Sequence, residues 1–140
     1  MSAVLADIAP TLEQIQALER RMRDLPQLEI KTTNTFADGL YIRTIHVPAG
    51  ATITGKIHAT EHIFTLIKGE MTVVTEEGRQ RIKAPFQAVC KPGLKRAGYA
   101  HTDCVCSNVH ITDETDLVRL EAELIVPEAI AAPVAAKEIE

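Results

Sequence analysis

From Leu28 to Thr112 the chain is a succession of short β-rich runs broken by turn residues, and this pattern restricts the fold more than any other feature. The runs are roughly Leu28–Thr33, Leu40–Val47, Ala51–Ile57, His62–Ile67, Met71–Thr75, Arg79–Lys83, Phe86–Cys90, Leu94–Tyr99 and Cys104–Thr112. Between them stand Asp38-Gly39, Pro48-Ala49-Gly50, Lys68-Gly69-Glu70, Glu76-Glu77-Gly78, Ala84-Pro85, Pro92-Gly93 and His101-Thr102-Asp103. Gly supplies positive φ at such turns and Pro fixes φ. Nine strands with no helical stretch between them exclude a doubly wound parallel sheet and predict an all-β sandwich or barrel.

Helical periodicity is confined to the two ends. Pro10 precedes a segment, Thr11 to Leu25, in which Leu12, Ile15, Leu18, Met22 and Leu25 form one stripe, and Thr11 with Gln14 three residues later has the form of a capping box. Its other face carries Glu13, Glu19, Arg20, Arg21, Arg23 and Asp24 and reads as a solvated surface or a docking face for a second copy. After Thr112, Asp113 or Thr115 can cap a second helix with Leu117, Leu120 and Leu124 at helical spacing, and Pro127 ends it. The expected organisation is a helical segment over 1–27, a β-barrel over 28–112, a helix over 113–126 and a tail over 127–140. That Ala-rich tail reads as mobile or as an arm lying on a neighbour in a homodimer or higher homo-oligomer.

One core is what 140 residues support. Fifteen Lys and Arg against nineteen Asp and Glu give a net charge of −4, and no Trp is present, so neither a phosphate backbone nor an anionic membrane is an expected partner. The longest mostly apolar stretch, Val126 to Ala136, is interrupted by Pro127, Glu128 and Pro133 and falls well short of the ~20 residues of a membrane span. Met1 to Pro10 lacks the basic start of a secretory signal, and a cytoplasmic location is expected. Cys90, Cys104 and Cys106 are odd in number with no C-x-x-C spacing, and read as small buried hydrophobes.

The densest polar cluster is Gly55-Lys56-Ile57-His58-Ala59-Thr60-Glu61-His62. Period-two alternation puts Thr54, Lys56 and His58 on one face, and His62, Phe64 and Leu66 on one face of the next strand. Lys56, His58 and His62 can then converge at a barrel mouth above Phe64 and Leu66. Cys104, Cys106, Asn108 and His110 share one face of the last strand, so Asn108 or His110 would line the interior if that face is the inner one. Taken singly, His46 and His110 read as structural strand histidines.

Gly55 through Gly69, followed by Lys91-Pro92-Gly93-Leu94-Lys95-Arg96, resembles the two sequence motifs of the cupin superfamily. Anchored on Gly69, the first motif sets Lys56 and His58 at its two His positions and His62 at its Glu; the second sets Arg96 at its His. The resemblance implies a single antiparallel jelly-roll barrel, and it extends to small cupin-domain proteins of tailed bacteriophages, which implies a host-cytoplasmic or virion protein. A cupin metal is usually held by three His and one Glu, and here two of the four positions are cationic.

Three functional expectations follow. Lys56, His58, His62 and Arg96 around one pocket would repel one another unless a small anionic or polar ligand compensates them, Arg96 as a bidentate fork and Lys56 as a point charge. Glu61 could turn inward and neutralise Lys56 or Arg96. Alternatively a divalent metal on His58, His62 and His101, or Glu61, would make an oxygenase- or isomerase-type enzyme, or His62 would act as a general base without metal. Third, the barrel would be a structural or partner-binding module of an oligomer or virion. No nucleophile elbow, Walker sequence or zinc-protease motif is present.

Overall fold

The computed structural model describes residues 9–128 and the backbone of residues 135–136. Helix α1 (Leu12–Arg23) leads into β1 (Lys31–Ala37), β2 (Leu40–Val47), β3 (Thr52–Thr54), β4 (His62–Lys68), β5 (Glu70–Thr75), β6 (Gly78–Lys83), β7 (Phe86–Cys90), β8 (Ala97–Ala100) and β9 (Cys104–Ile111). Helix α2 (Leu117–Leu124) and a two-residue strand β10 (Ala135–Ala136) follow. The remainder of the tail, 129–134 and 137–140, lies outside the described residues.

Two antiparallel five-stranded sheets face each other, ordered β1-β2-β9-β4-β7 and β10-β3-β8-β5-β6. Period-two alternation decides what each sheet presents to the other: in β4, His62, Phe64 and Leu66 are buried while Ile63 and Ile67 are exposed. The β2–β9–β4 register stacks these inward residues in layers. Tyr41 stands opposite His110; Arg43 opposite Asn108 and Asn108 opposite Phe64; Ile45 opposite Cys106 and Cys106 opposite Leu66; Val47 opposite Cys104. The deepest layers, with Ala51, Met71, Ile82, Cys90 and Ala100, form the main apolar core, and all three cysteines are buried there or at its edge. Gly69, between β4 and β5, has φ +95, and a Cβ on it would lie 2.4 Å from the Asp103 carbonyl oxygen. Only glycine fits that turn.

Several elements differ from the sequence expectation for local reasons. The first strand runs Lys31–Ala37 rather than Leu28–Thr33 because the two-residue turn Asp38-Gly39 pairs Ala37 with Leu40 and zips the hairpin back to Lys31 and His46. Strand β3 stops at Thr54, the last residue its neighbour β8 can pair, with Ala97. The α1 cap is as expected, Thr11 and Gln14 closing a reciprocal box. Helix α2 begins later, capped by Asp116, whose carboxylate accepts from the Val118 and Arg119 amides. Among the described residues no helix is long and apolar enough to cross a membrane.

Candidate functional site

Between the sheets lies a cavity of about 640 Å³, within the usual size of a small-molecule site. Helix α2 covers one end, contributing Leu117, Leu120 and Glu121 to the lining. A small apolar cluster of Tyr41, Leu120 and Leu124 holds it there, as do backbone hydrogen bonds from the Ala59 amide to the Leu124 carbonyl (2.7 Å) and from the Val126 amide to the Ile57 carbonyl (2.8 Å). The β3–β4 loop is thereby tied to the helix, which sets His58 over the cavity.

Three imidazoles meet beneath α2. Ring centroids are 4.3 Å apart for His58 and His62, 5.1 Å for His58 and His110, and 4.9 Å for His62 and His110. Tyr41 stacks on His110 at 5.8 Å, and its hydroxyl donates to Asn34 Oδ1 at 2.6 Å. Burial, then the neighbouring His62, His110, Arg96 and Arg43, push the His58 pKa down to about 3. His110 is pushed down to about 4 by burial, His62 and Arg43. His62 is lowered by burial and Arg96, opposed by the Thr60 carbonyl and the Asn108 amide. All three rings are therefore neutral at pH 7.

Neutral imidazoles need one donor and one acceptor each. His62 Nδ1 faces the Thr60 carbonyl oxygen at 3.4 Å, and the Asn108 side chain is its other polar neighbour. His62 Nε2, His110 Nδ1 and Asn108 Oδ1 are buried with no hydrogen-bond partner among the described residues.

Cationic groups flank this cluster. Arg96 lies over the Phe64 ring, its guanidinium carbon 5.4 Å from the centroid, and Arg43 enters from β2 in the layer of Asn108 and Phe64. Among the described residues neither guanidinium forms an ion pair with a carboxylate. Lys56 also lines the cavity, but its ammonium is paired with Glu121 of α2. The expectation of Lys56 as a free point charge for a ligand is corrected accordingly. Glu61 is exposed, and α2 supplies the neutralising carboxylate instead.

The structure thus brings His58, His62 and Arg96 together, as alternation indicated for the two histidines and the cupin resemblance implied for Arg96. His101 does not join them. Its Nε2 is 2.7 Å from Thr72 Oγ1 and its ring packs edge-on against Tyr99 at 5.0 Å. Thr72 and Tyr99 point out of the barrel because Met71, Val73 and Gly98 point in, so the turn after β8 does not redirect His101 inward. Thr54 and Ile53 both line the cavity, while the Thr54 hydroxyl reaches Glu19 of α1. The sequence reading set His110 aside as structural, yet the face it shares with Cys104, Cys106 and Asn108 is the inner one. Arg43 was overlooked; its alternation with Tyr41, Ile45 and Val47 was the available signal.

A divalent metal, which the cupin resemblance implies, does not fit these side chains. Among the described residues no group of three His, Cys, Asp or Glu is arranged to hold a metal ion. Two guanidinium groups face the same volume and would oppose a dication.

No protein-family model matches the sequence, and no curated protein matches it. Solved structures do. KdgF from Halomonas sp. superposes with a TM-score of 0.54 at 13% identity, covering 68% of this chain and 93% of that one. The cupin domain of Schizosaccharomyces pombe Cnp3 gives 0.51 at 13% identity over 71% and 75%. The DMSP lyase DddQ from Ruegeria pomeroyi gives 0.51 at 17% identity over 62% and 49%. Two antiparallel sheets, an inward-facing motif strand β4 and these likenesses together establish the fold as the cupin barrel.

Proposed function

We propose that the protein binds a small organic anion inside the barrel, its acidic group held by Arg43 and Arg96 and its polar substituent facing His58, His62 and His110. One observation carries this reading: His62 Nε2, His110 Nδ1 and Asn108 Oδ1 are buried without partners beside two guanidiniums that no described carboxylate neutralises. Each unsatisfied buried polar atom costs about 1–3 kcal/mol, and a ligand that supplies the missing partners recovers that cost on binding.

The chemistry of each group narrows the ligand. A guanidinium offers a planar fork to a carboxylate or phosphate, and Arg96 is preorganised by its stacking on Phe64. His62 Nε2 and Asn108 Oδ1 are both buried without a partner among the described residues, and a hydroxyl, which can donate or accept, meets either of them. Catalysis by His62 as a general base is the second reading, since its Nε2 is buried with no hydrogen-bond partner among the described residues. A histidine held below its ordinary range is a weak base at pH 7, which favours binding over proton abstraction.

Mass spectrometry under native conditions, with elemental analysis of the same sample, tests the reading on protein purified from cells. An anionic adduct of one per chain is expected on the wild type and absent from Arg43→Gln/Arg96→Gln, with the β-rich circular dichroism spectrum unchanged. One equivalent of metal that disappears in His58→Ala, or an adduct indifferent to the double substitution, overturns it.

A further inference from the structure

The charged layer is not the floor of the cavity. Two residues further along the same strands, Ile45 and Cys106 also line it, and Ile53, Met71, Val73 and Gly98 line it from the facing sheet. Two residues of strand advance the chain by roughly 6.6–6.8 Å, so an apolar compartment extends about that far below Arg43 and Asn108. None of these six side chains is charged. Cys106 is a neutral thiol at pH 7, its pKa pushed up to about 12 by burial and the neighbouring Cys104.

At Gly98 the absence of a side chain lets Met71 and Ile53 lie close over the strand. A Cβ there would project into the compartment, 3.3 Å from Met71 Cε and 3.7 Å from Ile53 Cγ1. Met71 and Cys106 belong to the main core together with Ala100, and Ile45, Ile53 and Val73 pack against it, so the cavity ends on the apolar core of the barrel. The cavity thus reaches apolar walls directly under the cations, and a purely inorganic anion would leave those walls without a partner.

We infer that the ligand is amphiphilic, an organic carboxylate whose acidic group sits between Arg43 and Arg96 and whose aliphatic tail descends into the compartment of Ile45, Ile53, Met71, Val73, Gly98 and Cys106. The inference rests on the anion-binding reading above and adds the tail. A dry apolar pocket rewards a tail by about 0.8 kcal/mol per buried methylene, a three- to fourfold gain in affinity for each. The same walls reject an anion whose far end is polar, because nothing in that layer except the Cys106 thiol can hydrogen-bond to it.

The test is an NMR titration of the full-length protein with acetate, butanoate, hexanoate, inorganic phosphate and neutral 1-hexanol, read on the methyl groups of Ile45, Ile53, Met71 and Val73. Affinity is expected to rise about three- to fourfold per methylene from acetate to hexanoate, with contacts from the hexanoate terminal methyl to the Met71 and Val73 methyls. Gly98→Ala, which adds one methyl to the compartment, is expected to weaken hexanoate and leave acetate unchanged. Acetate or phosphate binding as tightly as hexanoate, lost in Arg43→Gln/Arg96→Gln, overturns the tail and leaves anion binding standing. Hexanol binding as tightly as hexanoate, or no binding by any of the anions, overturns both.

Discussion

Two clusters of polar side chains stand back to back on the β3–β8 wall, and they differ in how their charges are met: in one the cations find carboxylates, and in the other the guanidiniums find none among the described residues. Lys95 and Arg96 are consecutive, so the extended chain sends them to opposite sides. Lys95 goes outward beneath α1, where it is 0% exposed and donates to Glu19 Oε1 and Oε2 at 3.1 and 2.9 Å and to Glu128 Oε2 at 3.2 Å. Glu19, also 0% exposed, accepts from the Thr54 hydroxyl at 2.5 Å as well. Arg96 goes inward, to a cavity whose two guanidiniums find no carboxylate among the described residues and whose His62, His110 and Asn108 carry unpartnered atoms. Buried polar groups with their partners in place specify a packing arrangement, whereas those without them hold open a place for something else.

The largest effect is expected where the closed cluster is broken. Lys95→Met leaves the Glu19 and Glu128 carboxylates buried without their ammonium, and removing one member of such a cluster costs about 3–5 kcal/mol. Urea denaturation of the variant is expected to show that loss, and adding Glu19→Gln is expected to restore part of it because the uncompensated charge is then smaller. A midpoint unchanged in Lys95→Met would mean that water reaches the cluster, and the contrast with the cavity would collapse.

Replacing the inward cations is expected to do the reverse. Arg43→Gln/Arg96→Gln removes two charges that repel each other and depress the histidines, so the melting temperature is expected to equal or exceed that of the wild type. Hexanoate affinity is expected to fall at least about tenfold, since hydrogen bonds to charged groups contribute roughly 1.5–3 kcal/mol. A double variant that unfolds would show that Arg96 is there to cover Phe64 rather than to receive a ligand.

The barrel was legible because strand alternation and turn residues are local signals: nine strands are present, the first, third and eighth with shifted bounds, and the Thr11 cap and the inward run of His62, Phe64 and Leu66 are as read. Of the site, His58 and His62 were legible on the same basis, and Arg96 through its place in the second cupin motif. The rest depends on which side of a strand is the inner one and on which helix packs where. His110 and Asn108 required knowing that the mixed face of β9 turns inward. Glu19 lies on what reads as the polar face of α1, and only its meeting with Lys95, 76 residues away in sequence, explains its burial. Lys56 reads as a cavity cation because its partner Glu121 belongs to α2, whose position over the barrel end no local pattern encodes.

Acidification separates the two clusters further. His58 and His110 have folded pKa values near 3 and 4, below the ~6.5 of an unfolded histidine. Between those values the unfolded chain binds the extra protons, so these groups leave stability untouched above about pH 6.5 and subtract from it progressively as pH falls. The melting temperature is expected to drop by a few degrees from pH 7.5 to 5.5, a range above ordinary carboxylate titration, and the drop is expected to shrink in His58→Asn/His110→Gln. An equal drop in the variant would assign the pH response elsewhere.

The smallest effect is expected at the rim, where Lys56 and Glu121 join the β3–β4 loop to α2. Their side chains are 28% and 62% exposed, and ion pairs open to water contribute about 0–1 kcal/mol. Lys56→Met is expected to change the unfolding midpoint by less than that and to leave hexanoate affinity within about twofold, because the ammonium is already committed to Glu121. Salt screens such a pair, so the small difference between wild type and variant is expected to vanish in 1 M sodium chloride. A tenfold loss of affinity in Lys56→Met would instead place Lys56 with Arg43 and Arg96 in the open cluster. Glu121 would then be a carboxylate that the incoming anion displaces, and α2 would have to lift as the ligand enters.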